Sequence, residues 1–300
     1  MKILISGASG LVGTALEPFL RVGGHDVNKL VRTKTSKNCC DVYWDPYQDE
    51  LDQASLHGVE AVVHLSGENI AGRWTSGKKA RIRDSRITTT RLLSQTIANL
   101  EHRPKVFVCA SAVGYYGDRG DELLSEDSKF GDGFLADVVR EWEAATAPAA
   151  ANGIRTVNLR IGVVLSRAGG ALAKMLTPFK MGAGGIIGSG KQYWSWVAID
   201  DVVGAIHHAL ITESLKGPVN LVAPQPVTNA EFTKTLGRVI SRPTLFPMPA
   251  FAAKAAFGEM AEALLLASTR VEPRKLVESG YQFKHPDLEG ALQESLKKNQ

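Results

Sequence analysis

The chain opens on an apolar strand, Met1-Lys-Ile-Leu-Ile-Ser6, that runs directly into Gly7-Ala-Ser-Gly10-Leu-Val-Gly13. Few patterns constrain a fold as tightly as a strand followed by Gly-x-x-Gly-x-x-Gly and an amphipathic helix. Ile3, Leu4 and Ile5 read as a buried strand, and Gly7 permits the tight turn out of it. Gly10 has no Cβ, so main-chain N–H groups can approach a pyrophosphate. Gly13 lets the next helix pack close to the strand, with its positive end facing the phosphates. Leu11, Val12, Ala15, Leu16, Phe19 and Leu20 supply the apolar face of that helix. The stretch therefore predicts a dinucleotide site that includes Gly7, Ser9, Gly10, Leu11, Val12 and Gly13.

The rest of the first half repeats the alternation. Strands are predicted at residues 27–31, 61–65, 106–109 and 156–161, and helices at 76–100 and 133–151. Alternating strands and helices imply βαβ units and an α/β, Rossmann-type doubly wound parallel sheet. After residue 166 the texture becomes glycine-rich through Gly182–Gly190. A helix at 200–211 and a strand at 219–222 follow, and then a mostly helical remainder. The expected organisation is a nucleotide-binding domain over 1–166, with 200–222 returning to it. A smaller helix-rich C-terminal substrate domain would comprise 167–199 and 223–300.

Bulk properties exclude several classes. Of the 300 residues 44% are hydrophobic and 22% charged, which fits an ordinary globular chain. The net charge of +4 is mild, and the cations cluster only at Lys78, Lys79, Arg81, Arg83 and Arg86. That argues against nucleic acid as a partner and leaves an anionic small ligand open. Three cysteines, Cys39, Cys40 and Cys109, form no C-x-x-C pattern. No disulfide framework or zinc site is expected, and a reducing compartment, the cytoplasm, is the natural reading. No apolar run is long enough to span a membrane.

The end of the second strand selects the nucleotide. An acid there would bind the 2′-hydroxyl of NAD, whereas an arginine accommodates the 2′-phosphate of NADP. The expected acidic position is Val31, and Arg32 follows it. A guanidinium can grip a phosphate through two hydrogen bonds, so the pattern points to NADP.

These residues resemble a family. Gly7-x-x-Gly10-x-x-Gly13, His64-Leu-Ser-Gly67 and Tyr115-Tyr-Gly-Asp118 are similar to extended short-chain dehydrogenases/reductases of the nucleotide-sugar epimerase type. A longer string resembles one atypical branch, often labelled cell-division-inhibitor-like, with its own C-terminal domain over residues 249–296. That string is Ser66-Gly-Glu-Asn-Ile70, Arg73-Trp74, Ser85-Arg86, Ser111-Ala-Val-Gly-Tyr-Tyr-Gly117, Trp142-Glu143, Arg160-Ile-Gly-Val-Val-Leu165, Gly188-Ser-Gly-Lys-Gln192, Trp196 and Asn229-Ala-Glu-Phe232.

The resemblance implies an NADP-binding oxidoreductase or epimerase acting on a small polar molecule, with a sugar nucleotide as one candidate. Leu65, Ser66, Gly67 and Glu68, with Asn69, follow a strand and are placed beside the cofactor. Asp45 is counted in the same binding set. A monomer and a homodimer are both compatible with the sequence.

One departure matters. The family uses a Tyr-x-x-x-Lys pair on a helix, in which the tyrosine moves a proton as hydride moves. None of the six tyrosines here has lysine four residues later. The pair's positions fall on Leu135 and Val139, or in the neighbouring register on Phe134 and Val138, all apolar. The family's serine is retained as Ser111, and its helix asparagine appears as Arg86. Arg86 could anchor a carboxylate or phosphate, or replace the missing lysine electrostatically.

Tyr116 or Tyr115 could donate the proton, or both could form an aromatic wall. Ser111, Tyr116 and Arg86 are thus the catalytic candidates. Trp74, Trp194 and Trp196 are candidates to line the pocket. His64 and Cys109 read as core residues. Adjacent carboxylates on a helix diverge by about 100°, so Asp200-Asp201 reads as an N-cap. The absent pair keeps a second class open: a regulator that senses NADP(H) without turnover, linked by the family label to cell division.

Overall fold

The computed structural model of the protein describes residues 1–34 and 41–297, so the expectations on Cys39 and Cys40 lie outside the described residues. Eight strands form one sheet: β1 (Lys2–Ser6), β2 (Asp26–Val31), β3 (Asp41–Asp45), β4 (Glu50–Leu51), β5 (Ala61–His64), β6 (Val106–Ala112), β7 (Arg155–Ile161) and β8 (Gly217–Leu221). Their spatial order is β8-β7-β6-β5-β1-β2-β3-β4, all parallel except the antiparallel edge β4. Strand order reverses between β1 and β5, where Ile3 lies opposite Ala61 on one side and Val27 on the other. That reversal opens a crevice at the carboxyl edge.

The two-residue alternation of a strand decides which helices cover which face. Ile3, Ile5, Ala61, Val63 and Val108 face α1 (Leu11–Val22) and α6 (Ile199–Ile211). Leu4, Val62 and Phe107 face α2 (Ser76–Ala98), α3 (Phe134–Ala144) and α4 (Ala147–Ala151). The single helix expected over 133–151 is therefore two. Pro148 has no N–H and its ring clashes with a preceding carbonyl, so α3 stops and α4 begins with Pro148 in its first turn. Strand β3 was not anticipated, although Val42 and Trp44 alternate inward along it.

A second core joins α5 (Gly170–Lys180), α7 (Asn229–Val239) and α10 (Leu288–Leu296). Short helices α8 (Ala250–Phe257) and α9 (Arg274–Glu278) complete the C-terminal part. Trp194 and Trp196 lie inside this core and do not line a pocket. Trp196 is fully buried and donates its indole N–H to the Gln225 carbonyl at 3.1 Å. Trp74 packs with Ile82 and Met260 in a small separate cluster. The C-terminal part is stitched to the first: Arg270–Val271 pairs with Leu123–Leu124.

Asp201 corrects another expectation. The N-cap of α6 is Ala198, and Asp200 and Asp201 sit within the first turn. The buried Asp201 carboxylate instead accepts the Lys284 N–H at 2.7 Å on one oxygen and the His285 N–H at 3.0 Å on the other. The Tyr281 hydroxyl bonds to the same residue. An asparagine can accept on one side only and would aim an N–H₂ at a main-chain donor. Asp201→Asn should cost about 1–3 kcal/mol, read as a lower urea midpoint at unchanged slope; an unchanged midpoint would contradict the anchoring role.

Candidate functional site

The crevice is built by main-chain contact. Gly7 has φ +72°, and a Cβ there would stand 2.7 Å from the Leu65 carbonyl carbon in the loop after β5. Only glycine takes that conformation without strain and permits the approach. A Cβ on Gly13 would lie 2.4 Å from the Gly7 oxygen and 2.5 Å from the Ala8 Cα. Gly10, the N-cap of α1, meets only the Gly7 oxygen at 3.3 Å. No acid occupies the first turn of α1, and no side chain caps it. Its free N–H groups and helix dipole favour an anion.

His64 supports this junction from below. Its Nδ1 lies 2.5 Å from the Ser6 hydroxyl and its Nε2 lies 3.2 Å from that of Thr89. Leu65 N–H donates to Ser6 Oγ, and Thr89 donates to the Ser85 carbonyl. The chain closes if Ser6 donates to Nδ1 and Nε2–H donates to Thr89. Burial pushes the His64 pKa down to about 3, so the ring is neutral.

A cleft of about 650 Å³ lies over the Gly loop. Of the expected cofactor residues, Gly7, Ser9, Gly10, Arg32, Leu65, Ser66, Gly67 and Glu68 line it. The side chains of Leu11, Val12 and Asp45 do not. Leu11 packs beside Gly169 and Gly170, and Val12 packs on the sheet core. Asp45 accepts the Tyr47 N–H at 3.0 Å and holds a turn. Arg32 is exposed in the cleft, with no hydrogen-bond or ion-pair partner among the described residues. The cleft's two carboxylates are paired, Glu17 with Lys29 and Glu68 with Lys78. The Lys78 hydrogen bond holds the Glu68 carboxyl below its usual range.

Ser111 does not stand alone. Its hydroxyl donates to Glu143 at 2.6 Å, and Arg160 grips both oxygens of Glu143 at 2.8 Å. The Arg160 side chain is 3% exposed and that of Glu143 13%. Burial works to lower the Arg160 pKa, but Glu143 raises it above its ordinary value. The guanidinium stacks 3.4 Å from the centre of the Tyr115 ring. Leu135, Val139 and Glu143 are spaced four apart, so they form one row along α3. The first two pack against Gly114. Where the family's tyrosine and lysine would stand there is hydrocarbon, and one turn on there is a carboxylate.

Tyr116 is not brought to the crevice. It is fully buried, and its hydroxyl donates to Asn220 Oδ1 at 2.6 Å while accepting from Arg160. Burial pushes its pKa up to about 12, which suits a structural phenol rather than a proton donor. Arg86 is half-buried, with its guanidinium against Gly67. Cys109 is a core thiol that burial pushes up. Glu143 and Arg160 were missed as functional residues, although both stand in the motif string. Among the described residues no cluster of three or more His, Cys, Asp or Glu could hold a metal, and no helix is long and apolar enough to cross a membrane.

The NAD dependent epimerase/dehydratase family matches residues 3–221, and a Domain of unknown function (DUF1731) matches residues 248–295. The epimerase family protein Mb2239 of Mycobacterium bovis is 45% identical over 291 residues, covering 97% of this chain and 96% of its own. The human epimerase family protein SDR39U1 is 39% identical over 298 residues, covering 98% and 99%. A crystal structure of human SDR39U1 (isoform 2) with NADPH superposes with a TM-score of 0.90 at 37% identity, covering 98% of each chain.

Two outcomes are expected. Gly13→Ala drives a methyl into main chain and should cost about 1–3 kcal/mol, whereas Gly10→Ala should cost much less; equal losses in urea unfolding would refute the packing account. Arg160→Met strands a buried carboxylate and should cost about 3–5 kcal/mol. Adding Glu143→Leu should restore most of that loss, and a double variant no more stable than Arg160→Met would count against the pair.

Proposed function

The chain belongs to the NAD dependent epimerase/dehydratase family, and from that premise we propose that it is an NADP(H)-binding oxidoreductase or epimerase of the atypical short-chain type. Arg32 carries the cofactor reading: an unpaired guanidinium in the cleft, directly after the strand position where an NAD site would place an acid. The NADPH in the structure of human SDR39U1 supports the same choice. The residues present fit the group. The uncapped N-terminus of α1 would take the pyrophosphate, and Arg32 the 2′-phosphate.

Bound cofactor supplies or accepts hydride. The chain's own residues must then hold the substrate oxygen and handle its proton. Ser111 is the group we assign to that task, in place of Tyr116. With Glu143 accepting its hydrogen at 2.6 Å, Ser111 can take a proton from a substrate hydroxyl while passing its own to the carboxylate. Arg160 keeps that carboxylate charged and fixed. The substrate is a small polar molecule, and sugar nucleotides are the first class to screen.

A second reading is favoured by the hydrocarbon at Leu135 and Val139: an NADP(H) sensor without turnover. NADPH oxidation across carbonyl and sugar-nucleotide libraries separates the two.

Fluorescence titration should show NADPH binding tighter than NADH. Arg32→Glu should weaken NADPH about 10–100-fold, the value of one or two charge-assisted hydrogen bonds, with NADH little changed. Equal wild-type affinities for the two nucleotides would defeat the assignment to NADP.

A further inference from the structure

Five cations cluster along the first half of α2, and four have a carboxylate within 4.0 Å. Lys78 and Arg81 face Glu68, Lys79 faces Glu259, and Arg83 faces Glu141. Lys79, Arg81 and Arg83 reach solvent, where a pair contributes little. Arg86, half-buried, has no carboxylate within that distance among the described residues. The arrangement inverts what desolvation demands, because a buried charge needs its counter-ion most.

The guanidinium is only partly satisfied. It donates to the Ile82 carbonyl at 2.9 Å and to the Glu68 carbonyl at 3.1 Å, and it faces the Trp142 ring at 5.1 Å. Two of its five N–H donors are used, and Nε has no partner among the described residues. Nε is also not sealed from solvent, since it is absent from the buried atoms that lack partners. Burial pushes the Arg86 pKa down to about 10, partly offset by the field of Glu68.

Its position narrows the ligand. A Cβ on Gly67 would meet the Arg86 Cζ and a terminal nitrogen at 3.2 Å, so the guanidinium lies flat against a residue of the cleft wall. The anionic groups of NADPH already have places at the α1 N-terminus and at Arg32. Arg86 is surplus to them.

We propose that Arg86 anchors a second anionic ligand, a carboxylate or phosphate of the substrate, beside Gly67. This names the charge class of the substrate and rests on the NADP(H)-binding reading. The guanidinium fork matches either group through two parallel hydrogen bonds, and the bound anion supplies the counter-ion the fold omits.

Thermal unfolding is followed in acetate and in inorganic phosphate, with chloride balancing ionic strength, with and without NADPH. Wild type, Arg86→Gln and Arg86→Lys are compared, and the NADPH Kd of each is measured by fluorescence. The expected result is a saturable upward shift of the wild-type midpoint. Arg86→Gln abolishes the shift, and Arg86→Lys, which keeps the charge without the fork, weakens it. NADPH Kd should stay within about threefold in both variants, a difference under 1 kcal/mol.

An anion response that is absent in wild type, or unaltered in the variants, overturns the proposal. So does a tenfold or greater loss of NADPH affinity in Arg86→Gln, because the anion would then be the cofactor's own. If Arg86→Gln does not fold, an undiminished response in Arg86→Lys still refutes the fork. Failure of wild type to bind NADPH sinks the NADP(H) reading instead, and the anion response of the free protein is then judged by itself.

Discussion

Everything at the site hangs on two stretches of main chain that touch. The turn after β1 and the loop after β5 meet where the strand order reverses, and Gly7 is the residue that allows it. Its positive φ turns the chain, and its missing side chain leaves room for the Leu65 carbonyl. Gly13 then draws α1 down onto the same turn. The neutral His64 closes the junction by linking Ser6 to Thr89 across β1, β5 and α2. The anion-binding end of α1 and the wall formed by Leu65, Ser66 and Gly67 are thereby set at a fixed separation.

Charge has been moved rather than deleted. The row of α3 that could carry a phenol and an ammonium carries Leu135 and Val139, and a carboxylate one turn later. A buried carboxylate requires a cation, and Arg160 supplies it from β7 through two hydrogen bonds. Ser111 and Tyr116 are drawn into that network, the first through Glu143 and the second through Arg160. Arg86, across the helix pair, lacks such a partner among the described residues. One buried ion is therefore satisfied within the fold, and another is left for a ligand.

The C-terminal part is held by contacts remote in sequence. Asp201 binds the main chain of Lys284 and His285, and Arg270–Val271 pairs with Leu123–Leu124. These ties give the crevice a second wall without a long linker. The same fold carries many activities, so the site and not the architecture must decide the chemistry.

Local patterns were legible from sequence alone. The glycine spacing, the strand–helix alternation, Arg32 after an apolar strand end and the loss of the tyrosine–lysine pair each depend on neighbours in the chain. Helix 133–151 was misread because Pro148 was not weighed as a break, and β3 because five residues give little periodicity. The tertiary structure decided what depends on distant partners. Tyr116 is removed from the crevice by Asn220, 104 residues away. Trp194 and Trp196 belong to a core built from residues 165–292. Asp201 serves the chain 83 residues on. Glu143 and Arg160 stand in the motif string as letters, and only their 2.8 Å approach makes them a pair. Burial and pairing are properties of assembled surfaces, so a single chain read in order announces where a nucleotide can dock but not which charges remain free to meet it.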